Sequence, residues 1–319
     1  MDWPRLGLGC ASLGSPDLPD ACAHAVIEAA LARGIRLFDV APLYGGGLAE
    51  QRLGHVLRGV PRDAYVLCTK TGVTRPFGQP PIPPGGTRRR EADVWDYTPA
   101  GTRVSVLRSL ERLGVAHLDL VHLHDVEAHE HACLEAHAAL ARLREAGVVG
   151  GIGIGSNHVA PVERLLARAP LDAFLLAGRY TLLDQSGAGL LESAHRTGVR
   201  TIVGGVFNSG VLAAWPQPAP TFGYEAASAD ILRRTGGIAA VCARHGVPLA
   251  AGALQYVLAN PHVSTVLLGP RSVAELHASL AAAQAPLPAA LWADLEREAG
   301  VPRATQTDAP SAVAAGEAS

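Results

Sequence analysis

One lysine stands alone among the basic residues of this chain. Of 27 lysines and arginines, 26 are arginine and the remaining one is Lys70. It sits in YVLCTKTG (65–72), at the end of a β-branched and apolar run that reads as a buried strand. An ammonium is a compact point charge whose pKa moves readily, and it can tune a neighbouring acid or phenol in a way a planar guanidinium cannot. Other residues able to do chemistry fall in similar runs: Asp39 and Tyr44 in FDVAPLYGGG (38–47), His122 and His124 in LDLVHLHD (118–125), and Ser156 and Asn157 in GIGIGSNH (151–158). His122 and His124 are two apart, hence on one face of a strand. Singly each has an ordinary reading: Asp39 as a helix cap, Tyr44 as a loop aromatic, His124 as a core histidine. Together a phenol, an ammonium, a carboxylate and an imidazole can move a proton to or from a reacting oxygen.

The elements that must position them alternate along the whole chain. Apolar runs predict strands at 5–10, 36–41, 65–70, 118–124, 149–155, 172–177, 200–206 and 263–268. Amphipathic patterns predict helices at 19–33, 48–58, 101–113, 132–146, 159–168, 187–197, 235–259 and 271–283. Gly34, Gly59, Gly114, Gly147 and Gly198 follow helices and read as left-handed caps. Strands too apolar to have one wet face indicate a parallel sheet wrapped in helices, and eight of them close a (β/α)8 TIM barrel. An open doubly wound sheet is the rival architecture. Asp39, Lys70, His124 and Ser156 then stand at the C-terminal ends of successive strands, where barrel active sites lie.

Two long loops, 71–100 and 207–230, follow the third and seventh strands and are expected to close over a substrate. The first carries Arg75, Trp95 and Tyr97; the second carries Phe207, Asn208, Trp215, Phe222 and Tyr224. The chain reads as one domain over 1–302, and its tail, 303–319, lacks an apolar pattern and is expected to be disordered. A net charge of −2 offers no electrostatic footprint for nucleic acid. Five scattered cysteines without a CxxC, and no charged-then-apolar leader or long apolar run, predict reduced thiols in a soluble cytoplasmic protein.

In order, spacing and local context, Asp39, Tyr44, Lys70 and His124 resemble the catalytic tetrad of the aldo-keto reductases. The resemblance runs from LGLGC (6–10) to LLGPRSVAEL (267–276). The stretches 95–115 and 176–185 are similar to the branch of bacterial sugar 1-dehydrogenases acting on D-threo-aldoses or L-fucose, with pyridoxal 4-dehydrogenases near it. The chemistry agrees. A phenol with a pKa near 10 is ionised in only about one molecule in 10³ at neutral pH. An ammonium within roughly 4–6 Å lowers an acid's pKa by about 1–3 units. Tyr44 beside Lys70 is therefore expected to work as general acid or base near neutrality, with Asp39 holding Lys70 and His124 polarising the substrate oxygen. None of these side chains carries hydride, so the resemblance implies a nicotinamide cofactor.

The resemblance assigns the nicotinamide carboxamide to Ser156 and Asn157, and the adenosine end to Gly269, Arg271, Ser272 and Glu275. Arg271 slightly favours NADP without excluding NAD. Where many members have Gln on strand six this chain has Ala177, and where many have a stacking Tyr on strand seven it has Gly204-Gly205, leaving Phe207 as the nearby aromatic. Trp95, Tyr97, Trp215 and Tyr224 are the expected substrate contacts, and a sugar or carbonyl compound the expected substrate. Other readings stay open: a broad aldehyde or ketone reductase, a non-catalytic NAD(P)-binding sensor, and a metal-dependent barrel hydrolase using His122 and His124. A Rossmann dehydrogenase fits poorly, because GIGIGSN never reads GxGxxG.

Overall fold

The computed structural model of the chain describes residues 3–74 and 93–303. Eight parallel strands close a barrel: β1 (Leu6–Gly9), β2 (Leu37–Asp39), β3 (Val66–Thr71), β4 (Leu118–His124), β5 (Val149–Ser156), β6 (Ala173–Ala177), β7 (Arg200–Gly204) and β8 (Thr265–Leu268). Each strand pairs with its neighbours in sequence, and β1 pairs with β8 to close the ring. The (β/α)8 architecture expected from the apolar runs is the one present. Strand pleating divides their side chains: Leu37, Val66, Cys68, Leu120, Ala173, Leu175, Ile202 and Leu267 fill the barrel, while their alternates join the larger core beneath the helices.

Helices follow the strands: α1 (Asp20–Ala32), α2 (Leu48–Leu57), α3 (Pro99–Leu113), α4 (Glu130–Glu145), α5 (Val159–Leu166), α6 (Ala188–Arg196), α7 (Ala229–Arg244), α8 (Leu249–Leu258), α9 (Val273–Gln284) and α10 (Ala289–Ala299). Helix α3 shows how local sequence sets the ends. Thr98 accepts from Gly101 N at 3.1 Å, Pro99 opens the first turn, and Gly114 closes the helix at φ 69°. Gly34, Gly147 and Gly198 are also left-handed, but Gly59 is not. There α2 ends in a turn from Val60 N to Leu57 O (3.0 Å), just before Pro61.

Three expectations are corrected. The single helix expected over 235–259 is two, α7 and α8, bent by 97°. The apolar pattern runs through the break, but left-handed Gly246 and Pro248 redirect the chain. Helix α10, beyond the last predicted element, packs on α7. The long loops carry their own pairing: Val73–Thr74 with Val94–Trp95, and Thr221–Phe222 with Glu225–Ala226. Arg75, the rest of 75–92, and the tail from 304 lie outside the described residues. All five cysteines are free thiols, and Cys22 alone among them is exposed. Among the described residues no single helix is long and apolar enough to cross a membrane.

Candidate active site

Asp39 is the last residue of β2, Lys70 lies near the end of β3, and His124 closes β4. Register places these ends side by side: Asp39 opposite Cys68, and Lys70 opposite His122. The Lys70 ammonium, 1% exposed, donates to Asp39 Oδ1 at 2.5 Å and to Val40 O at 3.0 Å. Tyr44 reaches the same place from the turn after β2, its N–H bonded to Ala41 O (3.1 Å). Lys70 Nζ lies 5.0 Å from the centroid of the Tyr44 ring and acts on its phenol through space. The ring meets His124 edge-on, with centroids 5.9 Å apart. All four expected residues are thus brought together, with Tyr44 the partly exposed one at the barrel mouth.

The glycines after Tyr44 make the turn fit. Gly45 has φ 65°, and a Cβ there would lie 2.0 Å from Gly14 O, so two loops pass main chain against main chain. Below the turn, Glu50 of α2 is fully buried. It accepts from Thr69 Oγ1 (2.8 Å), next to Lys70, and from Arg112 Nε of α3 (2.7 Å). One carboxylate therefore ties the Tyr44-bearing segment to the Lys70-bearing strand.

Charge follows from this packing. Burial works against the Lys70 cation, but Asp39 and Tyr44 together hold its pKa above the ordinary value. Burial raises the Asp39 carboxyl against the pull of Lys70. The Tyr44 phenol is pushed up to about 12 by burial, with Lys70 opposing and Asp39 and Tyr224 adding to the rise. The expected lowering toward neutrality is therefore outweighed. His122, fully buried beneath His124, is held well below its usual value by burial, then by Lys70 and His124. A dication between the two imidazoles would face the Lys70 ammonium, and among the described residues no three His, Cys, Asp or Glu groups converge on a metal site.

Ser156 ends β5 and donates to Glu127 Oε1 at 2.9 Å; Asn157 Nδ2 donates to Asp125 Oδ1 at 3.3 Å. Arg179 Nε holds the Asn157 carbonyl at 2.6 Å and pairs with Asp184 at 2.8 Å. Across the mouth, Asn208 donates to Gly178 O (3.3 Å), while its buried Oδ1 has no hydrogen-bond partner among the described residues. Left-handed Gly178 and Gly205 line that edge, with no Cβ to narrow it. An orphaned amide oxygen beside a glycine-lined rim and the Ser156–Asn157 pair suits an amide-bearing flat ring, so these residues fit a nicotinamide. Phe207 packs on the apolar core at the end of β7.

At the far end, Ser272 caps α9 by accepting from Glu275 N (3.2 Å), and Glu275 accepts from Arg271 N (2.7 Å), a reciprocal cap. Gly269 lies between β8 and this cap. Arg271 pairs with Asp17 at 3.1 Å on the surface. The expected substrate contacts divide. Tyr97 is buried, and its hydroxyl donates to the His124 carbonyl. Trp95 stacks on Tyr97 at 6.3 Å and faces His129 at 5.0 Å. Trp215 packs over Gly236 of α7. Tyr224, 45% exposed, sits in the turn of the 221–226 hairpin within electrostatic reach of Tyr44. Sequence reasoning passed over Glu50, Arg112, Asp125 and Glu127, and placed Arg179 at the end of strand six without giving it a role. An acid on the buried face of an amphipathic helix was the signal available for Glu50, and position directly after His124 was the signal for Asp125.

A parallel barrel with a buried ion pair and a phenol at its strand ends is the frame of a barrel enzyme. A model of the aldo/keto reductase family matches residues 5–298, and the chain belongs to that family. It is 39% identical over 317 residues to the D-threo-aldose 1-dehydrogenase of a Pseudomonas sp., covering 94% of this chain and 95% of that one. It is 38% identical over 321 residues to the pyridoxal 4-dehydrogenase of Microbacterium luteolum, covering 92% and 93%. An aldo-keto reductase from Bacillus halodurans, solved in its holo form, superposes with a TM-score of 0.76 at 26% identity, over 96% of this chain and 94% of that one. The protein is an NAD(P)-dependent oxidoreductase.

Proposed function

We propose that this protein is an aldose 1-dehydrogenase, with Tyr44 as general acid and base. The observation that carries the reading is the Asp39–Lys70 ion pair set beside the Tyr44 ring, with His124 edge-on to it. In oxidation the Tyr44 phenolate takes the proton of the anomeric hydroxyl, C1 loses its hydrogen with the bonding pair, and a lactone forms. In reduction Tyr44 donates its proton to a carbonyl oxygen. When bound, the nicotinamide supplies the hydride chemistry in both directions. Ser156, Asn157 and the free oxygen of Asn208 would hold its carboxamide, with Phe207 the aromatic nearest its ring. Gly269, Arg271, Ser272 and Glu275 would hold the adenosine end. The Arg271–Asp17 pair is exposed and water-screened, so a 2′-phosphate can displace it, and we favour NADP slightly over NAD. His124 donates to the substrate oxygen, and Tyr97 fixes the His124 main chain.

Trp95 and Tyr224 at the mouth, with Tyr97 and Trp215 behind them, suit a ring with hydrophobic faces and hydroxyl edges. The two relatives named for an aldose and for pyridoxal support that class. The test follows reduced nicotinamide with L-fucose, D-arabinose, galactose, pyridoxal and aromatic and aliphatic aldehydes, using NAD and NADP separately and trapping lactone with hydroxylamine. A sugar or pyridoxal-like substrate is expected to show a kcat/KM at least about tenfold above an aliphatic aldehyde of similar size. Equal rates across the panel would favour a broad carbonyl reductase, and binding of dinucleotide without turnover of any member would favour a sensor.

A further inference from the structure

His122 is part of the barrel interior that the proton chemistry above does not use. It is fully buried, opposite Lys70 on β3 and Gly153 on β5. The room for its ring comes from that glycine: a Cβ on Gly153 would lie 2.6 Å from His122 Nδ1. Among the described residues neither ring nitrogen has a hydrogen bond of ordinary geometry, although a contact with the Ile154 main chain acts to favour the cation. Asp39 is half satisfied: Oδ1 takes the Lys70 ammonium, while buried Oδ2 has no hydrogen bond among the described residues. His122 Nε2 faces that oxygen at 3.9 Å. A closure of about 1 Å makes this an ordinary N–H to carboxylate hydrogen bond. Two buried polar groups without partners, facing each other across that gap, each supply what the other lacks.

We propose that His122 is a positioning residue, a neutral imidazole whose Nε2–H is donated to Asp39 Oδ2 so that Oδ1 stays aimed at Lys70. Of the groups around it only the Asp39 carboxylate and the Ile154 main chain favour the cation, and burial with the neighbouring basic groups outweighs them. Asp39 on β2 faces it, Lys70 and Cys68 lie on β3, His124 is one pleat above, and β5 presents only glycine and isoleucine. Burial, Lys70 and His124 all disfavour its cation. Without this donor, Asp39 draws harder on the Lys70 ammonium, and less of that charge acts on Tyr44. The phenol then ionises at higher pH, and the oxidative limb of the pH–rate profile moves to the alkaline side. Near Tyr44 the other groups are Asp39, Lys70, His124 and Tyr224.

The inference rests on the Tyr44 reading, so Tyr44→Phe is assayed in parallel. Retained turnover in that variant counts against the reading of the site, while the His122 arms below are scored on their own. His122→Leu is expected to lower kcat about tenfold, the rate equivalent of one hydrogen bond to a charged group. KM for dinucleotide and substrate should stay within about twofold. His122→Gln, whose amide N–H falls where Nε2 lies, is expected to recover most of the loss and the profile, whereas His122→Asn, whose amide falls at the Nδ1 position, is expected to stay as low as His122→Leu. A loss in His122→Gln equal to that in His122→Leu, or no loss in His122→Leu, overturns the proposal. A second measurement needs no variant to fold: histidine-selective 15N NMR of the wild-type protein. It should find His122 neutral, with the proton on Nε2, from mildly acidic to mildly alkaline pH. A ring that titrates near the ordinary histidine value, or carries its proton on Nδ1, overturns the proposal.

Discussion

Tyr44 has a phenol that holds its proton firmly. Burial pushes it up to about 12, and the Lys70 ammonium only moderates the rise. An acid raised above its ordinary value is protonated throughout the neutral range, ready to donate in reduction. Oxidation needs the phenolate, whose fraction grows tenfold per pH unit below the pKa. Oxidative kcat/KM is therefore expected to climb about tenfold per unit across neutral and mildly alkaline pH. Reductive turnover should stay flat there and fall only as pH nears the phenol's own pKa. Profiles measured in both directions check this, and an oxidative plateau at neutral pH would contradict it. Lys70→Arg should cost about two orders of magnitude or more, because a planar guanidinium cannot sit between Asp39, the Val40 carbonyl and Tyr44. A variant with unchanged rate and profile would make the lone lysine incidental. That lysine was legible in the sequence, as were its spacing from Asp39, Tyr44 and His124. The balance of burial against charge was not, because it depends on how tightly neighbouring strands enclose the phenol.

Helices and hairpins decide how firmly that group is held. Glu50 on α2 joins Thr69 on β3 and Arg112 on α3, with Gly47 (φ 97°) placed so that a Cβ would lie 2.6 Å from Arg112 Nε. Arg112→Met would leave a buried carboxylate without its cation, and breaking such a pair costs about 3–5 kcal/mol. Denaturant unfolding should show a loss of that order, and a change well under 1 kcal/mol would mean that the pair ties nothing together. On the other side, the 221–226 hairpin brings Tyr224 toward Tyr44. Tyr224→Ala is expected to lower kcat/KM for an aldose about tenfold while sparing an aliphatic aldehyde; equal effects on both would mean that the hairpin does not select. Strands were legible because their side chains are apolar on both faces. The bend between α7 and α8 was not, because the apolar pattern continues through Gly246 and Pro248. Neither was the 221–226 hairpin, since two-residue strands leave no periodicity to find.

For the molecule as a whole, barrel closure brings the first loop against the last. Asp17, between β1 and α1, pairs with Arg271, between β8 and α9. That contact joins residues 254 apart in the chain, so it was out of reach of sequence reasoning even though Arg271 itself had been singled out. Arg271→Ala should raise KM for NADP about ten- to hundredfold with little effect on NAD. Equal effects on both cofactors would remove the case for NADP. The eightfold alternation made the barrel legible, and the barrel explains why residues up to 85 positions apart, from Asp39 to His124, meet at one mouth. The most direct measurement compares wild type with Tyr44→Phe for formation of reduced nicotinamide from an aldose, with dinucleotide binding to both followed by fluorescence. The account predicts that binding is kept and turnover falls by about two orders of magnitude or more. A Tyr44→Phe protein that oxidises the sugar at a near wild-type kcat would contradict it.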